Sequence, residues 1–156
     1  MITGKILSQL VMAFLGSAGF AILFHLRKKF LWMASFGGFI SWFVYLIADH
    51  EIGNLFFATL MASAAGALYA EILARVLKAP STPFFIVSAI PLIPGSTLYF
   101  SMSQVVYGHM IAAGMFGMQT MQCALGIAAG MSLVWAMCDL TRKIGRTDIL
   151  NRGAGE

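Results

Sequence analysis

Between Lys78 and Asp139 the chain runs for 60 residues without a single Asp, Glu, Lys or Arg. A small water-soluble domain does not tolerate such a stretch, because most of its residues touch solvent. A helix needs about 20 apolar residues to cross a hydrocarbon core about 30 Å thick. Sixty residues are too many for one crossing and fit two, joined by a weakly polar link. The rest of the chain agrees. Of its 156 residues, 60% are hydrophobic and 10% are charged, against roughly 25% charged in ordinary soluble domains. Mean hydropathy is +0.85. These values exclude a cytosolic enzyme and a disordered tail. The pI of 9.3 does not argue for nucleic acid, since no basic stripe interleaved with aromatics is present. The chain reads as an all-α integral membrane protein whose first partner is the lipid bilayer.

Five transmembrane helices are expected in a single domain over residues 1–156, at about 6–26, 30–48, 53–73, 83–103 and 112–138. Residues 139–156 read as a short basic cytoplasmic tail. Continuous apolar runs without strict alternation select helices over a barrel. The link between the last two spans centres on Tyr107, Gly108 and His109. Arg27, Lys28 and Lys29 follow span one, Arg75 and Lys78 follow span three, and Arg142, Lys143, Arg146 and Arg152 follow span five. With five spans these nine of the ten basic residues share one side. Only Lys5 and the acidic Asp49-His50-Glu51 loop fall on the other. The positive-inside rule then sets the N-terminus out and the C-terminus in. A signal peptide is the alternative for span one, but the apolar run is long for one and is followed by Arg27-Lys28-Lys29. An odd helix count puts the two ends on opposite sides. Two such units in tandem, or paired as separate chains, form an inverted repeat, an arrangement common in secondary transporters.

All four prolines lie within fifteen residues. Pro80 and Pro83 flank the start of span four, where a loop or first helical turn accepts them. Pro91 and Pro94 fall in mid-span, in Ile90-Pro91-Leu92-Ile93-Pro94-Gly95-Ser96-Thr97-Leu98-Tyr99. Each removes a backbone donor and clashes with the preceding turn. Pro94 lies eleven residues from Pro83, about 16 Å at 1.5 Å per residue, near mid-membrane. The fourth helix is therefore expected to break at Pro-x-x-Pro-Gly. The new half-helix would begin with Pro94, Gly95, Ser96 and Thr97, whose free N–H groups and dipole suit an anion. Ser96, Thr97 and Tyr99 add hydroxyls. The alternative is a kink that only shapes packing, its freed carbonyls met by Ser88 or water.

These residues also carry a resemblance. Arg75-Val76-Leu77-Lys78-Ala79-Pro80-Ser81-Thr82, Ile90-Pro91-Leu92-Ile93-Pro94-Gly95-Ser96 and Tyr99 resemble the second membrane half of the threonine/serine exporter family. Gly19-Phe20-Ala21 to Phe24 and Gly37-Gly38 are similar to it as well. The chain has the length of that family's free-standing small subunits, the YjjB-like proteins. The resemblance covers all five spans. It implies export of threonine and serine or, in two-component members, of a dicarboxylate such as succinate. It also implies a second five-helix membrane subunit as partner, and location in the bacterial cytoplasmic (inner) membrane.

Other polar positions have two readings each. Glu71 and Arg75 form an i,i+4 pair at a span end, either an interfacial pair with a snorkelling arginine or an inner gate and proton-coupling site. Gln119 and Gln122 in span five either hydrogen-bond another helix or line the substrate path. Asp49, His50 and Glu51 read as a solvated loop rather than a metal site, and Asn54 reads as a helix cap. His25 reads as interfacial and His109 as part of the outer link, with pH sensing the second reading for either. Met115, Met118 and Met121 read as adaptable packing. Gly126 with Gly130, and Ala62 with Gly66 and Ala70, read as close helix-contact faces. Cys123 and Cys138, about 22 Å apart along one helix, cannot pair.

No Ser-His-Asp set, metal-ligand spacing or phosphate-binding glycine loop is present in the sequence. The chain is expected to be no enzyme and to use no cofactor and no metal. The expected function is a subunit of a secondary exporter of small carboxylates, with Pro91, Pro94, Gly95, Ser96, Thr97, Tyr99, Gln119 and Gln122 around the substrate. A homo-oligomer is a further arrangement open to it. The alternative is a non-transporting scaffold subunit of a membrane complex.

Overall fold

The computed structural model describes residues 2–153, with side chains from Gly4 to Thr141. It is helical throughout: α1 (Ile2–Leu23), α2 (Lys28–Ile52), α3 (Leu55–Leu77), α4 (Thr82–Ala89), a 3₁₀ turn (Ile90–Leu92), α5 (Gly95–Val106) and α6 (Met110–Gly153). Four helices are long and apolar enough to cross a membrane, and α4 with α5, a bent pair, makes a fifth if the two count as one broken span. The two parts of that span meet at 54°. α6 continues as helix through the expected tail, and its basic residues Arg142, Lys143, Arg146 and Arg152 lie outside the described side chains.

Each turn has a local cause. Gly53 and Gly108 take left-handed backbone (φ 63° and 77°), which closes α2 and links α5 to α6. Glycine adopts that conformation without a Cβ clash. The Asn54 side chain accepts the Phe56 N–H at 3.0 Å and caps α3 as expected. Pro83 sits in the first turn of α4, where its missing N–H is harmless. One expectation is corrected: Asp49, His50 and Glu51 are not a loop but the last turn of α2, which runs on to Ile52. The Gly53 N–H, donating to the Asp49 carbonyl at 3.0 Å, ends the helix later than the charges do.

The interior is built of small residues. Ala21, Ala34, Ala58, Ala62, Ala67, Ala70, Ser17, Ser35, Ser41 and Ser63 are buried, whereas most large apolar side chains point outward. This inversion fits lipid as solvent. Hydrocarbon tails are as apolar as leucine, so helices gain by close backbone approach rather than by hiding large side chains. α3 lies at the centre, packed on α2, α4 and α6. Gly126 and Gly130 of α6 rest directly on it. A Cβ at Gly126 would collide with the Thr59 hydroxyl and lie 2.8 Å from the Phe56 carbonyl oxygen. A Cβ at Gly130 would collide with the Ser63 hydroxyl and the Leu60 carbonyl oxygen. The Ser63 hydroxyl donates to the Gly126 carbonyl at 3.3 Å. The expected glycine face of span five is thus the α3 contact.

Charge separates by end. Residues of the α1–α2 and α3–α4 turns, Arg27 and Lys78 among them, meet around one hollow. Asp49, His50 and Glu51 meet Ile6 of α1 around another.

The break itself is supported from α1. Pro91 has no N–H, so the carbonyl four residues back, at Val87, loses its helical donor. The buried Ser17 hydroxyl donates to that carbonyl at 3.2 Å. That donor is Ser17, not the Ser88 that the kink-only alternative named. The Ser88 hydroxyl is buried without a hydrogen-bond partner among the described residues. Gly38 makes the approach possible, since a Cβ there would overlap Ser17 and lie 3.2 Å from the Pro91 ring. Ser17→Ala is expected to lower stability by about 1 kcal/mol, the usual loss for an orphaned buried carbonyl. The check is the thermal unfolding midpoint of the purified chain in detergent. An unchanged midpoint means the carbonyl finds another donor.

Candidate functional site

After the 3₁₀ turn the chain extends at Ile93 (φ −62°, ψ 123°) and re-enters helix at Gly95, just past Pro94. The Gly95 N–H is used by the Ile93 carbonyl at 2.8 Å, and the Leu98 N–H by the Pro94 carbonyl at 3.1 Å. Between them lie the N–H groups of Ser96 and Thr97, in a first turn with no side-chain cap. Helix geometry gives neither an intrahelical acceptor.

That first turn borders a cleft of about 380 Å³. Pro91, Pro94, Ser96 and Thr97 form one wall and Gln119 of α6 another. Trp42 and Tyr45 of α2, Thr59 of α3 and Cys123 of α6 complete it. The walls hold no ionisable acid or base apart from the Tyr45 phenol and the Cys123 thiol. Polarity comes from hydroxyls, one amide, one indole and backbone dipoles. The indole N–H of Trp42 is buried and has no hydrogen-bond partner among the described residues.

Of the eight expected substrate residues, five border the cleft: Pro91, Pro94, Ser96, Thr97 and Gln119. Gly95 is adjacent in sequence, and a Cβ added there would meet nothing within 4 Å. Tyr99 does not border the cleft. It is 67% exposed and its ring packs edge-on against Phe100 at 5.7 Å. Gln122 is exposed and also lies off the cleft.

Thr97 is engaged more closely than expected. Its hydroxyl lies 3.1 Å from the Pro94 carbonyl oxygen and 2.9 Å from the Thr120 hydroxyl. Thr120 in turn lies 2.9 Å from the Phe116 carbonyl oxygen. The two hydroxyl hydrogens serve contacts within this set, so the pair pins the start of α5 to α6. Thr120 was not among the expected residues. Nor were Trp42, Tyr45, Thr59 and Cys123.

At the opposite end of α3, Glu71 is 3% exposed. Arg75 donates from Nε to its Oε1 at 3.3 Å, while the arginine itself is half exposed. The carboxylate is therefore buried inside the bundle rather than lying on a water-facing surface.

A bundle of membrane-length helices, interrupted by a break beside a polar cleft, defines a multi-pass membrane protein. The chain belongs to the family described as threonine/serine exporter, ThrE, whose model matches residues 9–137. That is a family of membrane transporters, and the match takes in the break, the cleft and all of α2 to α5. No curated protein and no solved structure matches the chain.

Proposed function

We propose that the chain is one membrane subunit of a secondary exporter of small hydrophilic carboxylates. The substrates are threonine and serine or a dicarboxylate such as succinate, and a second five-helix subunit completes the pathway. The observation that carries this reading is the uncapped first turn of α5 facing the cleft. A carboxylate there takes the Ser96 and Thr97 N–H groups, the Ser96 hydroxyl and the positive end of the α5 dipole. The Gln119 amide supplies a further donor to the substrate. No buried cation is required, which spares the desolvation that a lysine would suffer at mid-membrane. Discontinuous helices serve carboxylates in this way in other carriers.

In this reading the N-terminus lies outside and the C-terminus inside the bacterial cytoplasmic membrane, as the basic turns favour. Glu71 and Arg75 then sit on the inner side as a gate, and the buried carboxylate carries the coupling proton. Glu71→Gln is expected to abolish the dependence of export on a proton gradient while substrate binding persists. Flux into vesicles with and without an imposed gradient measures it, and gradient-driven flux equal to the parent's removes Glu71 from coupling.

The test of the whole reading is export of labelled threonine, serine and succinate from cells carrying the chain with and without its partner. Ser96→Ala removes one donor and is expected to lower export severalfold. Gly95→Leu adds a side chain where there is open space beside the turn and is expected to lower it by about tenfold or more. Both variants retain the fold, because neither position touches the helix-packing core. Unchanged export from an assembled complex carrying both substitutions rejects the carboxylate site.

A further inference from the structure

A second cavity, of about 350 Å³, lies at the basic end of the bundle, between the α1–α2 turn and the α3–α4 turn. Arg27 and Lys78 line it, with no Asp or Glu among the described lining residues. Aromatic rings line it too. Phe30 and Phe84 meet edge to face at 6.2 Å, and Phe24 adds a third ring. The lining thus combines cations that suit an anion with rings that suit a hydrocarbon chain.

The backbone at this cavity is unusual. Four described residues have left-handed φ. The two at the far end of the bundle are Gly53 and Gly108. The two that line this cavity are His25 (φ 54°) and Lys78 (φ 50°). A side chain with a Cβ is disfavoured in that region, and residues held there tend to cluster at ligand sites. Helix closure alone asks only for glycine at position 78. The His25 ring is also held, with Nδ1 donating to the Leu23 carbonyl at 3.0 Å.

We propose that this cavity binds the phosphate of an anionic phospholipid. Arg27 and Lys78 contact the phosphate oxygens, and the acyl chain lies on the phenylalanine rings. Arginine presents a fork of donors that matches phosphate geometry, and lysine adds a mobile point charge. Basic hollows between membrane helices are the places where anionic headgroups dock. A water-soluble phosphate ester offers the same oxygens, but it leaves the aromatic rings without a partner. The cavity is separate from the cleft at the helix break and does not depend on what that cleft carries.

The test uses the full chain in nanodiscs of phosphatidylcholine with a minor fraction of phosphatidylglycerol, released into native mass spectrometry to read lipid retention. The parent is expected to keep phosphatidylglycerol in preference to phosphatidylcholine. The double variant Arg27→Gln/Lys78→Gly is expected to lose that preference by about tenfold or more. Glycine at 78 keeps the left-handed backbone, so the α3–α4 turn survives the loss of charge. Lys28→Gln/Lys29→Gln removes two charges at the same end without touching the cavity and is expected to retain the lipid. Equal retention by the parent and the cavity variant overturns the proposal. So does equal loss in the Lys28/Lys29 variant, which points to diffuse surface charge. Displacement of the lipid by glycerol 3-phosphate at matched concentration overturns it in favour of a soluble phosphate ester.

Discussion

Pro94→Ala is expected to make the protein more stable and less active at once. Alanine restores an N–H that can donate to the Ile90 carbonyl, and it removes the ring clash that helps to open the helix. A proline inside a helix costs about 3 kcal/mol or more, and a sizeable part of that is expected to return as a higher unfolding midpoint. The same change draws α4 and α5 towards one axis, out of their 54° bend. The Ser96 and Thr97 N–H groups then find helical acceptors and are lost to the cleft. Export is expected to fall by about tenfold or more. Thermal unfolding of the purified chain in detergent, and export from cells that also carry the proposed partner, separate the two effects. A variant that is stabilised and still exports at the parent's rate shows that the break is architectural. A variant that loses stability shows that the bend is imposed by the surrounding helices, with Ser17 and Gly38 the first residues to suspect.

The second large effect is expected at the α3–α6 contact. Gly130→Val places a branched side chain where even a single methyl overlaps the Ser63 hydroxyl and the Leu60 carbonyl oxygen. The hydroxyl can rotate away, but the carbonyl belongs to the α3 backbone and cannot move alone. The helices must separate, and a loss of about 3 kcal/mol is expected from overpacking at a backbone contact. Folded yield and unfolding midpoint measure it. A compensation experiment divides the cost. Combining Gly130→Ala with Ser63→Gly removes the side-chain part of the collision and leaves the backbone part. Full recovery in that pair would mean that α3 and α6 are less tightly fixed than their spacing implies. Thr59 lines the cleft and also faces Gly126, so a wider α3–α6 spacing is expected to reach the cleft as well.

Much of the architecture was legible in the residues themselves. Charge-free runs mark the spans, because a charge in hydrocarbon is expensive wherever it falls. The helix break was legible for the same kind of reason: proline acts through the backbone, whatever surrounds it. The lining of the cleft was not. Tyr99 comes two residues after Thr97, which turns it by about 200° around a helix of 3.6 residues per turn, so both cannot face the cleft. Trp42, Tyr45 and Thr59 reach it only because α2 and α3 pack beside the break, and no local pattern announces that pairing. Ser17 illustrates the limit. Counting back four residues from Pro91 points to the Val87 carbonyl as the group left in need. Nothing in the sequence says that its donor lies seventy positions earlier. Glu71 is similar, since an acidic residue near a span end reads as interfacial until packing buries it.

α5 has no buried residue and leans chiefly on α6. A segment with so little packing has a low free energy of local opening, and its amides are expected to be the earliest in the membrane region to exchange with deuterium. Its resting position is then set less by this polypeptide than by whatever presses on its outer face. The width of the cleft is then expected to report on its neighbourhood, narrow or wide according to the lateral pressure of the bilayer.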